Sequence, residues 1–503
     1  MAHVPDQRAT NPPARRRPWL SWVALAGAAS ATLAAGLLPR ATALPAGAAA
    51  PAGPVRLQPP PYRSSQTARQ PSSGCAARPA GALGWPTYGG GPLHGSYDLG
   101  HPPAAGRLHV RWRTPRLDGA VYAEPVVAGG CLIVATEDDS IYAFDATSGA
   151  LRWHVHLASP VTSGALPCGD ISPLGITGAP VVVPGRGELW AVEETEGRSG
   201  PEHLLVGVSL GDGRVLSTRP VDPPGSSPAA MQQRGALVVA HGNVYVPFGG
   251  LYGDCGNYHG TVVSAPLTGT GRPGYWAVPT GRGAGIWAPG GPVVLANGDL
   301  LVADGNGAAG PGQRWDGSNA VILLSPALKP LGSWAPANWA QLNASDLDIG
   351  STAPAVLPDG LALQVGKSGT GYLLRTDHLG GVGGQLATGQ VCPSGGAFGN
   401  DAVDGATVYV PCQAGLTAVQ VQGHRFRVLW TSSAAAAGSP VVAGGRIWLV
   451  TGSGQLQGID PTSGRAVQYL QLANPITHFP WLVAVGPTLY APDGDRVVDL
   501  AGL

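Results

Sequence analysis

Six side chains stand out against a background of glycine, proline and small residues: Asp170, Arg234, Trp287, Asp346, Asp348 and Lys367. All but Lys367 fall in short polar or Gly-rich runs at 170–180, 231–234, 285–292 and 346–354, each placed just before an apolar stretch, and similar runs occur at 395–401 and 437–440. Three carboxylates, two cations and an indole confined near a narrow opening would need either one another or a ligand, because a charge is costly to leave unpaired. At most other positions in these runs, Gly and Pro need only shape the approach to the next strand.

Other candidate chemistry is thinner. His154 and His156 share a face at period two, a potential metal pair, but no third ligand sits at a telling distance, so they read as solvent-facing histidines on an outer strand. Residues 360–368 end in Gly-Lys-Ser, yet one extra residue separates Gly360 from Gly366 and the Gly-Thr-Gly-Tyr that follows is a turn and strand, which argues against a phosphate loop. No G-x-S-x-G elbow in a strand-to-helix setting and no H-E-x-x-H is present. A long loop is expected at 305–319, with Trp315 at its tip.

The elements that must position these groups are repeats. PVVAGGRIWLVTGSGQLQGIDPTSGRAVQYL from Pro440 closely matches PVVAGGCLIVATEDDSIYAFDATSGALRW from Pro125. Degenerate copies start near Pro180, Ala236, Pro292, Pro354, Ala402 and Trp481. Within a copy, alternation at period two is punctuated by Gly, Asn and Asp, the chemistry of strands and hairpins, so each copy predicts a four-stranded antiparallel meander. Helical periodicity is nearly absent. Eight such units of roughly 40–60 residues predict an all-β, eight-bladed propeller. The last copy stops before its fourth strand, and an orphan strand, Leu108 to Arg113, precedes the first. Pairing these two would close the ring and leave no bare sheet edge. The equivalent loop of every blade would then open at one mouth.

Gly (77) and Pro (49) make up a quarter of the 503 residues, a bias that could signal disorder, but they fall at regular turn positions between Val/Leu/Ile/Tyr/Trp runs. A formal net charge of zero with scattered Lys and Arg gives no electrostatic footprint for nucleic acid.

The repeats resemble the pyrroloquinoline-quinone (PQQ) type of β-propeller repeat. Its hallmark A-x-D-x-x-T-G-x-x-x-W appears as Ala143-Phe144-Asp145-Ala146-Thr147-Ser148-Gly149, closed by Trp153, and Trp85-Pro86-Thr87-Tyr88-Gly89-Gly90 is similar to the lead-in common before the first blade. The resemblance covers residues 85–503. It implies that, if the chain were a quinoprotein alcohol dehydrogenase, Trp287 would stack on the quinone, Asn306 would bind calcium, Asp346 would be the catalytic base and Lys367 would face the quinone, with Arg234 as a further cofactor contact. Asp254 would stand beside the position of a calcium-binding glutamate. Such a site combines an aromatic floor, a cation, oxygen ligands for Ca²⁺ and a proton-accepting carboxylate. This sequence departs from those enzymes at three points: Cys255 occupies the glutamate position, no Cys-Cys dipeptide is present, and Ser345 replaces a tryptophan before Asp346. Relatives without catalysis include an outer-membrane assembly lipoprotein that acts as a protein-binding scaffold. The expectation is therefore a non-catalytic binding or scaffold module without a cofactor, holding a protein or small-molecule ligand at the channel mouth. The alternative is a divergent dehydrogenase oxidising an alcohol or sugar with PQQ and calcium.

Arg15-Arg16-Arg17, an Ala/Leu/Gly-rich stretch from Pro18 to Leu38 and Ala41-Thr42-Ala43 read as an export signal over 1–43, by a general or twin-arginine route, or as a retained N-terminal membrane anchor. Residues 44–84 read as a disordered Pro/Ala/Gly/Ser-rich tether, and 85–503 as the propeller. An exported chain would be secreted or sit in the cell envelope, where six cysteines favour disulfides. Cys392 with Cys412, one hairpin apart, is the first pairing expected, then Cys168 with Cys255, leaving Cys75 with Cys131. Spacing alone does not fix this connectivity.

Overall fold

The repeat's Asp-x-Thr-Ser-Gly motif builds a turn and a docking point at once. In the computed structural model, Asp145 Oδ1 accepts hydrogen bonds from the Thr147 and Ser148 amides (3.1 and 2.8 Å) and the Ser148 hydroxyl, and Asp460 does the same for Thr462 and Ser463. Gly149 then takes φ +70°, and a Cβ there would lie 2.7 Å from the Trp112 ring. Only glycine meets both demands. Trp112 in turn donates from Nε1 to the Thr147 carbonyl at 3.1 Å, and Trp153 and Trp430 dock in the same way on Leu210 and Pro461 of the following units. The tryptophan that ends one blade is thus a fastener for the next.

The structure describes residues 74–75, 84–98 and 106–502, all within one unit, Arg69–Leu503. The expected export segment (1–43) and nearly all of the tether (44–84) lie outside the described residues. The described residues form eight sheets, each built on a four-stranded antiparallel meander; those of blades 3 and 4 each carry a short fifth strand, Met231–Gln232 and Gly381–Val382. Blade 1 consists of Val126–Ala128, Cys131–Ala135, Ser140–Asp145 and Leu151–His156. Blades 2 to 7 span 181–220, 231–277, 293–335, 355–390, 402–431 and 441–471. The blade starts coincide with the Pro- and Ala-led repeats of the sequence. Apolar residues pack between blades: Val126, Ile133 and Ile141 of blade 1 with Leu189 and Val206 of blade 2, and Leu363 and Leu373 of blade 5 with Val408 and Val419 of blade 6. A repeat alone could not bury this face.

Blade 8 is closed as expected. Its strands at 483–485, 488–492 and 497–501 take His109–Arg113 as the fourth, with Val110 opposite Leu500 and Trp112 opposite Asp499. Arg111 clamps the buried Asp499 carboxylate through Nε and an Nη at 2.7 and 2.8 Å. Two additions were not expected. Trp339–Ala344 forms a short helix, a departure from the all-strand reading, and Gly381–Val382 pairs in parallel with the outer strand of blade 4, covering part of that edge.

The lead-in at 84–98 runs inside the ring. Trp85 bridges Val127 of blade 1, the Pro86 carbonyl accepts from Val182 of blade 2, and the Thr87 hydroxyl donates to the Leu237 carbonyl, next to the Val238–Ala240 strand of blade 3. The carbonyls of Pro92, Gly95 and Ser96 accept from Val294, Val403 and Val442 of blades 4, 6 and 7 at 2.8–2.9 Å. Innermost strands have one free edge each, and this segment satisfies several of them while plugging the channel. Glu124 anchors it by accepting from Trp85 Nε1 (2.7 Å) and the Gly89 amide (2.8 Å), and burial pushes its carboxyl up to about 8. Glu124→Ala would strand two buried donors and is expected to cost about 3 kcal/mol, read as a lower urea midpoint at unchanged denaturant slope.

Three disulfides join Cys75 to Cys131, Cys168 to Cys255 and Cys392 to Cys412. Among the described residues no helix is long and apolar enough to cross a membrane.

Candidate functional site

Lys367 lies in the turn between Leu361–Val365 and Thr370–Arg375 of blade 5, and Asp346 and Asp348 in the loop leading into that blade. The turn can seat on the loop because residue 366 is glycine: a Cβ there would lie 2.4 Å from the Asp348 carbonyl oxygen. Lys367 Nζ reaches Asp348 Oδ2 at 2.6 Å and Asp346 Oδ1 at 2.9 Å. Burial opposes both charges of the inner pair, yet the two carboxylates hold the Lys367 ammonium above its ordinary range. The ammonium also lies 5.5 Å from the Trp287 ring centroid, a cation–π contact.

Asn306, from the long blade 4 loop, is spent on both sides of its amide. Its Nδ2 donates to Asp346 Oδ1 at 2.7 Å, its Oδ1 accepts from Asn319 Nδ2 at 2.8 Å, and its backbone amide donates to Asp348 Oδ1 at 2.7 Å. Asn319 in turn receives the Ile349 amide on Oδ1, and Asn343 receives Asn319 Nδ2 (2.7 Å). Gly305 makes this crowding possible, since a Cβ would stand 2.6 Å from Asp348 Oδ1 and 3.3 Å from Trp287 Nε1. Trp287, Asn306, Asp346, Asp348 and Lys367 therefore form one connected cluster. Asn319 and Asn343 complete it, and sequence reasoning missed both: an asparagine in a Gly-rich loop carries no local signal of its distant partner.

Asp254 and Arg234 fall in neighbouring clusters. Asp254 accepts a hydrogen bond from the Tyr258 hydroxyl, which burial and this carboxylate push up, and its backbone carbonyl accepts from Arg282. Cys255 beside it is bonded to Cys168, which staples the loop leading into blade 2 to the blade 3 loop. Arg234 stacks on Phe479, its guanidinium carbon 4.9 Å from the ring centroid. Among the described residues Arg234 has no hydrogen bond or ion pair. Phe479, Trp287 and Phe398, from the loops leading into blades 8, 4 and 6, stand 6.3–6.5 Å apart by centroid. Asp170 pairs with His478 at 3.1 Å, and that bond holds its carboxyl below the usual range. These contacts bring side chains of blades 2, 3, 4, 6 and 8 to one mouth. His154 and His156 lie on the exposed outer strand of blade 1.

Behind the mouth, blades 1 and 2 bury four carboxylates. Glu137 accepts from the Gly175 amide and the Thr177 hydroxyl, Asp139 has neither oxygen hydrogen-bonded, Glu193 is similarly buried, and Glu194 pairs with the buried His203 at 3.1 Å. Burial pushes Glu137 up to about 8, Asp139 to about 10 and Glu193 to about 7. A carboxyl whose folded pKa is raised gives its full contribution below the unfolded value and loses it as pH rises through the folded one. Stability is therefore expected to be greatest near or below pH 4.5 for these groups and to decline toward pH 8. Urea midpoints measured across that window check this, and a flat or rising profile would contradict it.

A family model described as outer membrane protein assembly factor BamB matches residues 105–308 and 370–501. No curated protein matches the chain. Among solved structures, a quinohemoprotein alcohol dehydrogenase from Pseudomonas putida HK5 aligns with a TM-score of 0.65 at 14% identity, covering 83% of this chain and 80% of its own. A europium-containing methanol dehydrogenase gives 0.63 at 14% identity, covering 83% and 98%. BamB from Moraxella catarrhalis gives 0.54 at 15% identity, covering 78% and 97%. At such identities the likeness is one of fold, and fold does not carry activity.

Proposed function

This chain belongs to the PQQ-repeat β-propeller family described as outer membrane protein assembly factor BamB, and from that premise we propose that it is a non-catalytic binding module working in the cell envelope or outside the cell. Three disulfides suit an oxidising compartment. The observation that carries the reading is the state of the mouth. Its Lys, Asp and Asn groups satisfy one another, while Arg234, stacked on Phe479 and free of any ion pair among the described residues, is left to receive a partner. A guanidinium stacked on Phe479, which itself packs with Trp287 and Phe398, favours an anionic segment of a protein, held by a bidentate carboxylate contact.

PQQ and calcium fit this arrangement poorly. A planar anionic quinone on Trp287 would meet Phe398 and Phe479 packed around the indole, and a Lys367 ammonium already neutralised by two carboxylates. The Asn306 oxygen that calcium would require accepts from Asn319, and Asp254 accepts from Tyr258. The dehydrogenase reading retains one specific support, the assembly of Trp287, Asn306, Asp346 and Lys367 in a single cluster.

A fluorescently labelled Glu-rich peptide ending in Phe, titrated against the full chain beside a Lys-rich control, tests the binding reading. Selective binding of the acidic peptide is expected, weakened about tenfold or more by Arg234→Ala and unaffected by Asn306→Ala. Equal binding of both peptides, or no change in Arg234→Ala, would contradict it.

A further inference from the structure

We propose that Asp118, Asp138, His154 and His156 form a binding site for a divalent transition metal ion, Zn²⁺ or a close relative, at the seam where blade 8 meets blade 1. The two histidines lie two residues apart on Leu151–His156, so both imidazoles project from one face of the strand. The fold then supplies what the strand lacks. Asp118 comes from the segment that follows the closing strand, and Asp138 from the turn between Cys131–Ala135 and Ser140–Asp145. Ligand atoms of Asp118, Asp138 and His156 all lie within 4.8 Å of one another, and His154 Nε2 is 3.8 Å from Asp118 Oδ2.

Groups outside the cluster orient its members. The Ser140 hydroxyl holds His156 Nδ1 at 3.1 Å, the Thr136 hydroxyl donates to Asp118 Oδ1 at 2.9 Å, and His154 stacks on Tyr142 with centroids 4.1 Å apart. Partners of this kind fix the ligands around an ion. Bonds of about 2.0–2.1 Å place ligands about 3.3 Å apart around a tetrahedral ion, so the side chains must close by an ångström or so, which partly exposed groups do by small rotations. Two imidazoles with two carboxylates favour Zn²⁺, Cu²⁺ or Ni²⁺, whereas Ca²⁺ and Mg²⁺ prefer all-oxygen sets.

The site would reinforce ring closure. Just before Asp118, the Thr114 and Leu117 amides donate to the carbonyls of Val497 and Asp495 of blade 8. An ion held by Asp118 on one side and by Asp138, His154 and His156 on the other would tie that seam to blade 1. The cluster is separate from the Lys367 network and does not depend on what the mouth binds.

The full chain, stripped with a chelator and titrated with Zn²⁺ by calorimetry, tests the proposal. One tight equivalent is expected, together with a rise in melting temperature that the chelator reverses. His156→Ala and Asp118→Asn are each expected to weaken that equivalent by about tenfold or more and to abolish the thermal shift, whereas His424→Ala, at an exposed turn of blade 6, leaves both unchanged. Unchanged Zn²⁺ affinity in a combined His156→Ala, Asp118→Asn variant, equal loss in His424→Ala, or no Zn²⁺ uptake by the wild type would overturn it.

Discussion

Lys367→Ala is expected to destabilise the propeller by about 3–5 kcal/mol at neutral pH. Asp348 is buried and its carboxylate has two partners, the Lys367 ammonium and the Asn306 amide. Removing the ammonium leaves an uncompensated buried charge, and the amide alone cannot replace it. Burial already raises the Asp348 carboxyl and Lys367 pulls it back, so the variant's carboxyl rises further. The sign follows from linkage: the deficit is largest above the raised folded pKa and shrinks as pH falls and the acid takes up a proton. Asp346, half exposed, should behave differently, and Asp346→Asn is expected to cost little. Lys367→Met combined with Asp348→Asn should recover much of the loss, because the buried charge goes with its partner. Urea denaturation at pH 5 and pH 7.5 measures all three variants. A Lys367→Ala deficit that is small, or that grows toward acid pH, would contradict the network.

The second large effect is at the ring seam. Asp499 is fully buried under the closing strand, and Arg111, one-third exposed, is its bidentate partner. Arg111→Ala is expected to cost about 3 kcal/mol, the penalty of a buried unpaired carboxylate discounted for partial exposure. The Thr488 hydroxyl, which also receives an Arg111 Nη, loses that contact. Because the seam joins the two ends of the ring, the loss should open the edge of blade 8 first. Hydrogen exchange should report faster exchange at 497–501 than in the remote blade 5 strands, and uniform acceleration across all blades would argue against a local seam.

The blades were legible because their determinants are local. A Pro-Val-Val start, period-two alternation and an Asp-x-Thr-Ser-Gly turn each act within a few residues, and Pro125, Pro180, Pro292, Pro354 and Pro440 all precede the innermost strands of their sheets. The closing strand was legible by subtraction, one strand missing at the end and one spare at the start. The mouth was legible only in part. Trp287, Asn306, Asp346 and Lys367 could be picked out by resemblance, but the contacts of Phe398 and Phe479 join loops about 80 residues apart without periodicity. The path of 84–98 through the ring was hidden for a related reason: many of its partners in the inner strands are backbone groups, which carry no residue signature. His154 and His156 lacked a third ligand in sequence because Asp118 lies 36 residues away, across the seam.

In the proposed reading, Lys367, Asp346, Asp348 and Asn306 form a self-satisfied polar network that does not take up a quinone, and Arg234 with Phe479 is left to bind a partner. Titration of the purified chain with PQQ and Ca²⁺, followed by quinone absorbance and tryptophan fluorescence, addresses it most directly. No saturable binding is expected in the wild type or in Asn306→Ala. Saturable binding at micromolar or lower concentration that disappears in Asn306→Ala would contradict it.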